Sequence, residues 1–116
     1  QRAGRVPVTE MKAAAGRLRT IHIKDFSRTP PNLLIGKEDP ISWETFGANY
    51  QPGDVMTPED FVEAGTGMMD IQAILDTANE LGVEYAILEQ DDTARDIFDS
   101  IGDSLENLRK YRGLEI

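Results

Sequence analysis

The sequence predicts an α/β fold of the barrel kind, and three observations carry that prediction. Short apolar strands alternate with helical segments in the order helix, strand, long loop, helix, strand, helix, which is the pattern of parallel βαβ units. In Thr20-Ile21-His22-Ile23-Lys24-Asp25, Ile21 and Ile23 fall on one face of a strand and Thr20, His22 and Lys24 on the other. Val83 to Glu89 repeats the design, with Tyr85, Ile87 and Glu89 on one face and Ala86 and Leu88 on the other. A strand with one apolar face and His plus Lys opposite fits a barrel whose outer side packs on helices and whose inner side ends in functional groups.

Each element has its own local reasons. Pro7 to Ala15 reads as a short helix, because Pro7 suits a first turn, the alanines favour helix and Gly16 stands where a C′ glycine belongs. The first strand follows over 19–24. Residues 26–62 form a long irregular stretch that holds five of the six prolines, together with Leu33, Leu34, Ile35, Trp43, Phe46 and Tyr50. A connection of that length serves as a functional lid or a packing arm when it carries this many apolar groups. Asp70 is a good N-cap for a helix over 71–81, with Ile71, Ile74, Leu75 and Ala78 at helical spacing and Gly82 as its stop. The second strand covers 84–89. The last helix lies between Thr93 and Arg112, centred on 96–111, with Ile97, Ile101, Leu105 and Leu108 as its apolar stripe. Asp96 and Asp99 near its start, and Arg109, Lys110 and Arg112 near its end, suit the helix dipole, and Gly102 is its weak point.

Composition narrows the classes of partner. The 116 residues include 12 Lys+Arg against 21 Asp+Glu, a formal net charge of −9 that argues against a nucleic-acid partner. No apolar run approaches membrane-spanning length and no secretory pattern opens the chain, so no membrane partner and a cytoplasmic location are expected. Cys is absent, which excludes disulfides and thiolate metal sites. The first residue is Gln1 rather than Met, so an excerpt of a larger fold is expected.

The residues that could carry chemistry sit near the two strand ends, where barrels build their sites. His22, the single histidine, reads either as a ring satisfied by one hydrogen bond or as a metal ligand. Glu89 is either an exposed carboxylate at a loop start or a group that holds a metal and moves substrate protons. One His with carboxylates suits manganese, magnesium, cobalt or zinc, without choosing among them. Lys24 and Asp25 form an ion pair or a solvated strand end on one reading, and substrate-binding groups on the other. Glu63 precedes Gly65 and Gly67, which would let backbone come close to a site; Gly-x-Gly alone is a weak phosphate signal and no nucleotide is predicted.

Three stretches in order, Arg17-Leu18-Arg19-Thr20-Ile21-His22-Ile23-Lys24-Asp25, Glu63-Ala64-Gly65-Thr66-Gly67-Met68-Met69-Asp70 and Glu84-Tyr85-Ala86-Ile87-Leu88-Glu89-Gln90-Asp91, resemble the C-terminal part of bacterial sugar phosphate isomerase/epimerase-like proteins. These belong to the xylose isomerase-like TIM-barrel superfamily, and the resemblance covers roughly 16–113 apart from the loop at 26–62. It implies that the whole chain, 1–116, is the C-terminal portion of one TIM (β/α)8 barrel domain. The chain would supply β7-α7-β8-α8, with a long loop after β7. It also implies one divalent metal bound by two Glu, one Asp and one His, of which His22 and Glu89 match two; the others would come from earlier strands. Glu89 further matches one of two carboxylates that shuttle a proton at the sugar carbon. The loop at 26–62 is longer than in many relatives.

The expected function is metal-dependent isomerisation or epimerisation of a sugar, sugar phosphate or related polyol, with Glu89 as metal ligand and proton-transfer group, His22 as metal ligand, and Lys24, Asp25 and Glu63 as substrate-binding groups. Dehydration of inositol derivatives and C-glycoside cleavage are other chemistries of the same superfamily. A different class of reading is a non-catalytic fragment or subunit, inactive alone, which needs the missing barrel strands, a partner or homo-oligomer contacts. Two strands cannot close a barrel.

Overall fold

The computed structural model describes residues 6–28 and 57–116. Helix α1 spans Pro7–Ala13 and strand β1 Thr20–Ile23. Two-residue strands β2, Asp25–Phe26, and β3, Phe61–Val62, follow, with a 3-10 turn at Pro58–Asp60 before β3. Helix α2 spans Ile71–Glu80, strand β4 Tyr85–Leu88 and helix α3 Ile97–Leu108. Trp43, Phe46, Tyr50 and the apolar run Leu33-Leu34-Ile35 lie outside the described residues, as does most of the stretch read as a lid or packing arm.

Strands β1 and β4 pair in parallel, with Thr20 opposite Tyr85, His22 opposite Ile87 and Ile23 opposite Leu88. Parallel neighbours need a crossover, and α2 lies within it. Among the described residues this sheet has two strands and does not close. Ile21 and Ile23 turn to the helix side and join Met11, Ala64, Ile71, Leu75, Ala78 and Leu108 in one buried cluster. Ile71, Leu75 and Ala78 recur at helical spacing along α2, so one stripe of that helix covers β1. Burying each large aliphatic side chain there stabilises the fold by about 1.5–3 kcal/mol. The helix begins at Asp70, whose Oδ1 accepts from the Ala73 N–H at 3.0 Å, and the turn after it is closed by Gly82 at φ +70°.

Two features depart from the expected pattern. The base of the long stretch is not irregular: β2 and β3 form an antiparallel clasp, Asp25 opposite Val62 and Phe26 opposite Phe61. The two rings meet edge to face with centroids 5.9 Å apart. Beside them the Arg28 guanidinium makes a two-point contact with the Asp60 carboxylate, 2.7 Å at each oxygen. The second departure is the face of α3. Ile97 is exposed and Ile101 and Leu105 are only partly covered, whereas Ser100 and Ser104 are wholly buried in line with Leu108. Ser104 Oγ accepts the Ala64 N–H at 3.0 Å, so a row of small residues lets the segment before α2 lie directly on the helix. The helix itself is shorter than expected, starting at an Asp96 cap that accepts from Phe98 and Asp99.

Candidate functional site

Both parallel strands point their C-terminal ends the same way, so the polar residues that follow them gather at one rim. The ladder continues one step past β4, where the Glu89 N–H donates to the Ile23 carbonyl at 3.0 Å. This bond sets the Glu89 side chain beside His22, and His22 Nδ1 lies in hydrogen-bond contact with Glu89 Oε2. Lys24, two residues further along the same face of the chain, reaches Glu89 Oε1 at 2.9 Å and the two oxygens of Asp91 at 2.8 and 3.0 Å. Four side chains thus form one row: His22, Glu89, Lys24, Asp91. Asp91 was not among the residues singled out from the sequence. The signal for it was there, because Glu89 and Asp91 repeat on one strand end the two-residue spacing of His22 and Lys24 on the other.

The electrostatics follow from the pairing. The Lys24 ammonium and then the His22 ring hold the Glu89 carboxyl below the usual glutamate range, so it is an anion at neutral pH and able to accept a proton. Partial burial draws Lys24 down, but its hydrogen bonds to Asp91 and Glu89 outweigh that, and its pKa is raised. Lys24 therefore stays charged and shared between two carboxylates. His22 is half exposed. Nδ1 is the ring nitrogen that meets Glu89, and Nε2 lies outside this contact.

Asp25 and Glu63 are placed differently. Asp25 is buried at 3% exposure, and its carboxylate is filled by backbone donors: Oδ1 accepts from Phe26 at 2.9 Å and Met69 at 3.0 Å, Oδ2 from Gly65 and Gly67 at 2.9 Å each. A Cβ at Gly67 would meet the Asp25 carboxylate and the Phe26 carbonyl oxygen, which is why glycine stands there. The carboxylate thus fastens the loop after β3 to β2. Glu63 is bound at 2.5 Å by Arg95, whose other arm reaches Asp103 at 2.8 Å. Burial pushes the Glu63 carboxyl up, but its own backbone N–H and its side-chain partners outweigh this and hold it below its usual range. Among the described residues, the Glu63–Arg95–Asp103 chain shares no hydrogen bond or ion pair with the His22 row.

A divalent metal is tested by the donors that are present. His22 and Glu89 are an N/O pair of the kind such ions take, side by side and open to solvent. Among the described residues no group of three His, Asp or Glu is placed to hold an ion. The pair supplies two donors of the right types, with the Glu89 oxygens already in contact with His22 and Lys24. An open groove of about 810 Å³ with a mixed lining, Leu75, Leu88 and Leu105 beside Asn79, Glu84 and Glu115, lies on the opposite, helix side of the sheet, away from this chemistry. No helix among the described residues is long and apolar enough to cross a membrane. No family model matches this chain, and neither a curated protein nor a solved structure matches it.

Proposed function

We propose that the chain contributes the last two strand–helix units of a xylose isomerase-like barrel, and that His22 and Glu89 are half of a divalent-metal site for isomerising or epimerising a carbohydrate. The observation that carries this reading is the contact of His22 Nδ1 with Glu89 Oε2 at the shared C-terminal end of two parallel strands. A bound divalent ion would polarise a carbonyl oxygen and acidify the adjoining C–H. Glu89 would take a proton from a substrate carbon and return one to the same carbon in epimerisation or to the neighbouring carbon in isomerisation, a role that needs a carboxylate kept ionised at neutral pH. Lys24 holds Glu89 from one side and Asp91 from the other, and so fixes the direction in which the base points. Asp25 acts as an anchor of the neighbouring loop. The exposed Tyr85 and Ile87 on the same sheet face are apolar surface of the kind that further barrel strands would cover.

In the complete protein, His22→Ala lowers metal content measured by elemental analysis. Glu89→Gln lowers isomerase or epimerase turnover by about 10²–10⁴-fold even at saturating metal, because an amide cannot serve as the base. Wild-type metal content and turnover in both variants would remove the site and leave His22 as a hydrogen-bonded strand-end residue.

A further inference from the structure

Resting on the half-site reading of His22 and Glu89, we infer that Asp91 is a tether. It holds the Lys24 ammonium on one oxygen of Glu89 and so leaves the other oxygen, beside His22, for a divalent cation. The Glu89 carboxylate is divided between two neighbours. Its Oε2 faces His22 Nδ1, and its Oε1 faces Lys24 Nζ at 2.9 Å. The same Nζ lies 2.8 and 3.0 Å from the two oxygens of Asp91. An ammonium has three N–H donors, and here three carboxylate oxygens stand around it. Two of them belong to Asp91, so most of the hold on Lys24 comes from that side.

The strand register explains why the tether acts on Glu89 in particular. Glu89 and Asp91 stand two residues apart past the end of β4, and the Glu89 N–H is fixed to the Ile23 carbonyl at 3.0 Å. Lys24 follows Ile23 directly, so its side chain reaches both carboxylates at once. The Lys24 and Asp91 side chains are each about two-thirds covered, so water screens their attraction only in part. Without Asp91, the carboxylate left to Lys24 among the described residues is Glu89, and the ammonium is then free to bridge both of its oxygens. A cation in that position competes with a divalent ion for the same carboxylate and repels it by like charge. Asp91 is therefore a positioning residue, acting through Lys24 with no contact of its own to a metal or substrate.

The test is a manganese titration of the full chain, read as broadening of the His22 ring resonances. It compares the wild type, Asp91→Ala, Lys24→Met and the double variant. With Lys24 present, Asp91→Ala is expected to weaken manganese binding about tenfold. In the Lys24→Met background the same substitution should change binding by less than about threefold, because the group it acts through is gone. Unchanged binding in Asp91→Ala overturns the inference. An equal loss in both backgrounds also overturns it, since Asp91 would then be a metal ligand or a plain local charge. Either of these outcomes leaves the half-site standing. A wild-type chain with no saturable broadening at His22 removes the half-site, and the inference falls with it.

Discussion

Replacing Asp25 by Asn takes away one of the two oxygens that hold the loop after β3, with almost no change in side-chain volume. The wild-type carboxylate accepts four backbone N–H groups, two on each oxygen, in a site 3% exposed. Asparagine keeps one acceptor oxygen. In either orientation of the amide, its NH2 group faces two N–H donors that have lost their partner. Hydrogen bonds to a charged group contribute about 1.5–3 kcal/mol each, so losing two lowers the unfolding free energy by about 3–6 kcal/mol. That is a large share of the stability of a small domain. Urea unfolding of the full chain measures it as a fall in midpoint at unchanged slope. A loss below about 1 kcal/mol would refute the reasoning, since surface substitutions away from such features already reach about half of that. Were Asp25 a ligand-binding group instead, the Asn variant would keep its midpoint and lose affinity only.

Removing Lys24 should release Glu89. Its hydrogen bond is the largest influence holding that carboxyl low, so Lys24→Met moves the Glu89 midpoint upward in a carbon-13 carboxyl titration, and an unchanged midpoint contradicts the assignment. In the wild type, a folded-state pKa below the unfolded value means that the contact stabilises the fold at neutral pH and is lost as pH falls through the folded pKa. Ser104→Ala strands the Ala64 N–H in a buried position and should lower stability by about 1–3 kcal/mol, read from the shift in thermal or urea midpoint. Gly67→Ala drives a methyl group into the Phe26 carbonyl and the pinned Asp25 carboxylate, with an expected loss of about 1–3 kcal/mol by the same measurement.

The elements that could be read in advance are those with a period and a cap. Asp70, the stripe of Ile71, Leu75 and Ala78, and Gly82 mark α2 almost to the residue, and Ile21 and Ile23 turn inward as their alternation requires. The buried face of α3 escaped, because hydropathy assigns Ser100 and Ser104 to the surface, while close packing against the segment at Ala64 makes them the helix's inner row. The β2–β3 clasp escaped because two-residue strands have no period to detect. At the rim, the neighbourhood of His22 and Glu89 followed from parallel strands. The bonding of Asp25 did not, because nothing in a linear pattern shows that Gly65, Gly67 and Met69 return their N–H groups to one carboxylate.

The clasp also bears on how the chain reaches this arrangement. Arg19 and Glu84, which face each other at the start of the parallel pair, are 65 positions apart, so β1 must find β4 across a long excursion of chain. Once Asp25 and Phe26 have paired with Val62 and Phe61, the intervening stretch becomes a side loop and the remaining search runs only from Val62 to Tyr85. Each halving of loop length saves only about 0.6 kcal/mol of closure entropy, so the clasp does little for the final stability through this route. A clasp that closes before the parallel pair would bring β4 beside β1 by way of α2, and so settle the neighbouring strand before the His22 and Glu89 side chains meet.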